Sequence, residues 1–106
     1  MAKTVGYVGA IESTTPGTNR LWFALRSESQ GGSWVRIGGK TAWFTMNMDS
    51  GDRPSHMAQL TLLLEALRSG LQVRVTHGGA ASFEKDEPGD TFEVDGVRIN
   101  RAGLTF

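Results

Sequence analysis

Residues 53–71 of the chain read RPSHMAQLTLLLEALRSGL, a helical pattern that runs straight into a strand pattern. Met57, Leu60, Leu64, Leu67 and Leu71 recur at helical spacing and form one stripe, which Leu63 widens. Asp52 stands where it can cap the first turn. Pro54 is tolerated there because the first N–H groups of a helix have no helical partner. Gly70 supplies the stop, since glycine takes a left-handed conformation at little cost. From that point Leu71, Val73 and Val75 alternate with Gln72, Arg74 and Thr76 up to His77. No other segment has a long helical period. A chain of this kind folds as a β structure that must find one surface for one helix.

The remaining segments read as strands. Residues 3–12 form the first, with Val5, Tyr7, Gly9 and Ile11 on one register and Gly6, Val8 and Ala10 on the other; glycine inside a strand marks a bend or a close backbone approach. Residues 13–19 are a loop marked by Pro16-Gly17. Residues 21–26 are a second strand, in which Leu21, Phe23 and Leu25 alternate with Trp22, Ala24 and Arg26. Residues 33–37 are a third, with Val35 and Ile37 opposite Trp34 and Arg36. Gly38-Gly39 turns the chain into a fourth, residues 41–48, where Phe44, Met46 and Met48 oppose Trp43, Thr45 and Asn47. After the helix and a fifth strand, residues 78–90 read as a mobile loop rich in Gly, Glu and Asp. In TFEV-DG-VRIN, the Asp95-Gly96 step predicts a type I′ hairpin with Glu93 opposite Arg98. The rival reading is one strand with a bulge at Gly96.

Four strands, one long helix, then two or three strands predict a mainly β, OB-fold-like small barrel of five to seven strands, with the helix after strand four. The alternative is an open antiparallel sheet with a helix across one face. A length of 106 residues suits a single domain spanning the whole chain. With no cysteine, neither disulfides nor thiolate metal sites are available. The N-terminal residues have no apolar signal-peptide core, which points to the cytoplasm unless a leader has been removed. No apolar run is long enough for membrane insertion. Net charge is zero, yet residues 1–83 carry eight Lys/Arg against five Asp/Glu and residues 84–106 three against six, giving +3 and −3. That split is too mild to imply nucleic acid or a membrane as partner.

Three stretches give this order a familial look: Val8-Gly9-Ala10-Ile11-Glu12-Ser13, Leu21-Trp22-Phe23, and Met57-Ala58-Gln59-Leu60 leading to Ser69-Gly70-Leu71-Gln72-Val73-Arg74-Val75. In these the chain resembles the pentameric B subunits of bacterial A–B toxins, of the subtilase-cytotoxin, typhoid-toxin and pertussis-toxin type. The likeness covers about residues 3–77. It implies a ring of five copies, a long helix lining a central channel, and cell-surface glycans as partners. Those subunits are disulfide-bonded, and their sialic-acid pocket uses a serine ahead of the first strand. Neither feature has a counterpart in this sequence, so no sugar-binding residue transfers.

Little in the chain suggests catalysis, and no cofactor is implied. His56 at the helix start and His77 at the end of a strand read as ordinary solvated residues, and two histidines without a patterned carboxylate make a poor metal site. Asp86, Glu87 and Asp90 lack calcium-loop spacing. Gly39-Lys40-Thr41 lacks the upstream glycine of a phosphate loop, since Trp34 stands there, and no helix follows. The tryptophans are more informative. If Leu21, Phe23, Leu25, Val35, Ile37, Phe44 and Met46 face the core, then Trp22, Trp34 and Trp43 face outward beside Arg26 and Arg36, and their truncation should leave the domain folded. Packing under a loop, a subunit interface and a ligand surface all remain open; the ligand is a sugar or a single nucleic-acid strand stacked on an indole.

The helix adds an expectation about assembly. Leu62 lies outside the main stripe, between Ala58 and Ala66 at i±4, beside Gln59, Glu65 and Ser69. This second apolar row suits contact with neighbouring subunits. The expected function is a non-enzymatic, ring-forming protein that binds glycans. Single-stranded nucleic-acid binding through Trp22, Arg26, Trp34 and Arg36 is the alternative, and neutral net charge argues against it.

Overall fold

The computed structural model describes residues 2–14, 19–81, 89–101 and 104–106. Its elements are β1 (Ala2–Thr14), β2 (Arg20–Arg26), β3 (Arg36–Ile37), β4 (Lys40–Asn47), α1 (Arg53–Ser69), β5 (Gln72–Ala80) and β6 (Asp90–Ile99). The ladder runs β2–β1–β5–β6–β4–β3, and β2 also pairs with β4. That last pairing closes β1, β2, β4, β6 and β5 into a five-stranded barrel, leaving only the short β3 outside it. Every barrel pairing is antiparallel except β4 with β6. The architecture is the small OB-fold-like barrel expected, with its helix after strand four.

One strand serves two neighbours because it bends. The first half of β1 pairs with β5 from Ala2 to Tyr7, and the second half pairs with β2 from Tyr7 to Thr14. The register shifts between Val8 and Ala10, at Gly9. A bulge of this kind turns a strand and raises its twist, which is how small barrels round their corners. Thr4, Gly6 and Val8 therefore face inward, and after the bulge Ile11 packs on the core. Gly6 sits so close to β2 that a Cβ there would lie 2.9 Å from the Cβ of Leu25 and 3.0 Å from the carbonyl oxygen of Arg26.

The interior is aliphatic with an aromatic column. Phe23 and Phe44 stack at 5.3 Å, and Phe92 lies 6.0 Å from Phe44. His77 completes the column, 5.0 Å from Phe92 and 5.3 Å from Phe44. It is a satisfied core residue, 2 % exposed, and not the solvated one expected. Its Nδ1 donates to the Gly78 carbonyl at 2.7 Å and its Nε2 accepts from the Thr4 hydroxyl at 2.8 Å. The alternation Val73, Val75, His77 carries that placement in the sequence itself.

Several boundaries and one turn differ from expectation. The ladder of β3 is two residues long; Trp34 makes only an isolated bridge to Arg26. Gly78–Ala80 continue β5 instead of opening a loop, and the rest of that loop, with Asp86 and Glu87, lies outside the described residues, as does Pro16-Gly17. The Asp95-Gly96 hairpin does not form. β6 runs unbroken through both residues, and Asp95 is the extra residue of a bulge: Thr76 pairs with Gly96, and His77 with Val94. Neither residue has the positive φ that a type I′ turn requires. Pairing with β5 on both sides of the step holds the segment extended. Glu93 consequently pairs with Arg20 at 2.9 Å, and Arg98 stands opposite Arg74.

The helix packs with Leu63 and Ala66 fully buried and Leu60 partly so. This face is rotated from the leucine stripe. Met57, Leu64 and Leu67, expected against the barrel, are 44 %, 45 % and 46 % exposed. The Asp52 side chain makes no capping bond. His56 anchors the first turn instead, with Nδ1 donating to the Asn47 carbonyl at 2.8 Å. Gly70 ends the helix in the left-handed conformation, φ 65° and ψ 34°, as read from the sequence.

Candidate functional site

The outer surface of β2 and β4 carries every tryptophan of the chain. Alternation places Trp22, Ala24 and Arg26 of β2, and Trp43 of β4, on the side away from the aromatic column. The register is therefore as expected, but the exposure is not. Trp22 and Trp43 are 5 % and 6 % exposed, and together with Ala24 they form a second small core against which Trp34 packs. Trp34 and Trp43 lie 6.4 Å apart between ring centroids at 32°. A barrel strand has two faces, and here both are covered, which is why five consecutive residues of β2, Leu21 to Leu25, are buried.

The segment between β2 and β3 folds back to make this cover. Val35 N–H donates to the Leu25 carbonyl at 2.9 Å and Ser27 N–H to the Ser33 carbonyl at 2.9 Å. These bonds lay Trp34 beside Arg26, whose guanidinium carbon sits 3.9 Å from the centroid of a Trp34 ring. Arg26 Nη1 also donates to the Gly32 carbonyl at 2.9 Å. Gly9 makes the arrangement possible, since a Cβ there would lie 2.7 Å from the Cγ of Arg26 and 2.8 Å from the Cζ3 of Trp34. The β1 bulge and the Arg26–Trp34 stack are thus one feature.

Beyond the stack opens a groove of about 510 Å³ lined by Arg26, Gly32, Ser33, Trp34, Arg36 and Thr41. A second hollow of about 440 Å³ shares Arg36 and Thr41 with it and continues to Lys40 and Gly89. Lys40 lies 4.0 Å from Asp90, whereas neither Arg26 nor Arg36 has a carboxylate at ion-pair distance among the described residues. The groove offers guanidinium, hydroxyl and backbone groups. It does not offer an open indole face, because Arg26 caps Trp34 while Trp22 and Trp43 are buried. It is suited to hydrogen bonding and charge rather than to stacking.

Of the residues singled out in the sequence, the structure brings Arg26, Trp34 and Arg36 to this groove and places Trp22 and Trp43 beneath it. Ser33, Lys40 and Thr41 join them; they carry no motif, and only the turn at Gly38-Gly39 hints that Lys40 and Thr41 return to Arg36. The second helical row fares differently. Ala58 is exposed, Leu62 is half-buried and Ala66 is a core residue, so these three do not form an outward face. The exposed apolar row is Met57, Leu64 and Leu67. Next to it, Leu67 joins Ser29, Gln30 and Arg68 around a hollow of about 450 Å³ at the C-terminal end of α1. No family model matches the chain, and comparison with curated proteins finds no match.

Proposed function

We propose that this protein is a non-enzymatic, self-assembling binding module. In this reading α1 joins copies of the barrel into a closed ring, a pentamer by its resemblance to toxin B subunits. The groove at Arg26, Trp34 and Arg36 takes a polar ligand of the glycan class. The observation that carries the reading is the uncovered row on α1. A helix already seated on its barrel through Leu63 and Ala66 keeps Met57, Leu64 and Leu67 nearly half exposed, three large apolar side chains at i, i+7 and i+10. A second copy of the chain is the occupant argued for. The copies have no net charge to hold them apart, and a head-to-tail contact closes into a ring when the rotation allows.

Light scattering on the purified chain tests the assembly. The expected mass is a multiple of 11.5 kDa, near five copies; a single-chain mass at high micromolar concentration overturns it. A glycan array tests the ligand: hits that Arg36→Gln abolishes support the groove, and an array without hits removes glycans from the reading. Single-stranded nucleic acid on the same face is the competing ligand. The covered tryptophans count against it, because that mode uses open aromatic platforms. A steep fall of oligonucleotide binding with salt would favour it instead.

A further inference from the structure

The opposite side of the barrel carries a second concentration of positive charge, independent of the groove. Arg74 of β5 and Arg98 of β6 are direct cross-strand partners, and with Val73, Val75, Val97 and Ile99 packed inward both arginines project from the outer surface. Like charges directly opposite each other destabilise a sheet. No described carboxylate relieves the pair: the described ion pairs are Arg20–Glu93, Lys40–Asp90 and Arg68–Glu65. The two guanidinium groups converge on one ring instead, with their central carbons 5.2 Å (Arg74) and 5.9 Å (Arg98) from the centroid of Phe106. The Phe106 N–H donates to Oε1 of Gln72 at 2.6 Å, so the ring is held from the same strand as Arg74. Within this arrangement the Nε of Arg74 is buried without a hydrogen-bond partner among the described residues.

Two planar, permanently charged forks from facing cross-strand positions, both drawn to one aromatic ring, match the acceptors of a tetrahedral oxyanion. We propose that Arg74 and Arg98 form a binding site for a phosphate or sulfate group, with Phe106 orienting the two guanidinium groups. An anion bound to both guanidinium groups cancels the cross-strand repulsion. Phe106 positions the site without touching the ligand.

The test is thermal unfolding and calorimetric titration of the full chain with sodium phosphate, sodium sulfate and phenyl phosphate, each against sodium chloride at equal ionic strength. Phosphate and sulfate should raise Tm saturably and chloride should not. Arg98→Gln should unfold no earlier than wild type in chloride, since it removes a repulsion. It should lose the phosphate-dependent rise, with affinity weakened roughly tenfold or more. Arg74→Lys keeps the charge but not the fork and should bind weakly as well, whereas the surface change Arg53→Gln, with the same loss of charge as Arg98→Gln, should bind as wild type does. A response to phenyl phosphate equal to that for the inorganic ion assigns the site to a terminal phosphoryl group on a larger molecule; a response to the inorganic ions alone assigns it to the free ion. An unchanged anion response in both Arg98→Gln and Arg74→Lys, or an equal loss in Arg53→Gln, overturns the site.

Discussion

Trp22 and Trp43 behave as core residues although they lie outside the barrel. Each is buried against the other and Ala24, so Trp22→Ala or Trp43→Ala should cost about 3–5 kcal/mol in chemical denaturation, the range for deleting a buried indole. Trp34 is only half-buried, and Trp34→Ala should cost clearly less while freeing Arg26. Gly6→Ala should also destabilise, by about 1–3 kcal/mol, because its Cβ would press on the fixed Leu25 Cβ and Arg26 carbonyl rather than on a flexible side-chain end. Equilibrium unfolding in urea checks all four variants; near-neutral values for Trp22→Ala and Trp43→Ala would restore them as surface residues. Which side the tryptophans face was legible from alternation with Leu21, Phe23, Leu25 and Phe44. What lies on that side was not, because alternation is blind to a loop that returns to lay Trp34 beside Arg26, eight residues upstream. The core position of His77 was legible in the same way, two residues past Val75.

At the level of elements, the helix and β6 show how tertiary contacts choose among local options. α1 has leucines at 60, 62, 63, 64 and 67, enough to offer more than one apolar face. The period alone could not say which face the barrel end would take, and the barrel took Leu63 and Ala66. Leu63→Ala should therefore cost about 2–5 kcal/mol, and Leu64→Ala under 1 kcal/mol in the separated chain, as large-to-small changes do inside and outside a core. In β6, Asp95-Gly96 is a strong local turn signal, but a hairpin there would fold residues 97–99 back and abandon their antiparallel pairing with β5. The bulge keeps the pairing, and the Asp95 carbonyl accepts from Gln59 Nε2 of the helix at 3.4 Å. Gly96→Ala discriminates the two forms. A Cβ there meets Thr76 Cβ no closer than 3.8 Å, so the change should be neutral within about 0.5 kcal/mol. A type I′ turn would make it costly, since alanine resists positive φ.

For the whole molecule, barrel closure gives each of the five strands two neighbours over part of its length, and the surface proposed for contact between copies is made of side chains. Of the large apolar side chains exposed among the described residues, Met57, Leu64 and Leu67 share one helix, and Leu104 and Phe106 lie elsewhere. The fold class, the helix position and its glycine stop were readable because they rest on period and turn chemistry within the sequence. The second helical row was expected to face outward through Ala58, Leu62 and Ala66, but Ala66 packs into the core, because which helical face stays outside depends on packing and not on period alone. In the proposed ring the exposed row would be buried against a neighbour, and a carboxylate on each copy would add mutual repulsion to lost apolar contact. Sedimentation velocity of the wild-type chain beside Leu64→Glu is the most direct measurement. The wild type should sediment as a closed oligomer, and Leu64→Glu as a monomer with native-like circular dichroism. A wild type that stays monomeric at high micromolar concentration, or a Leu64→Glu variant that assembles unchanged, contradicts the account.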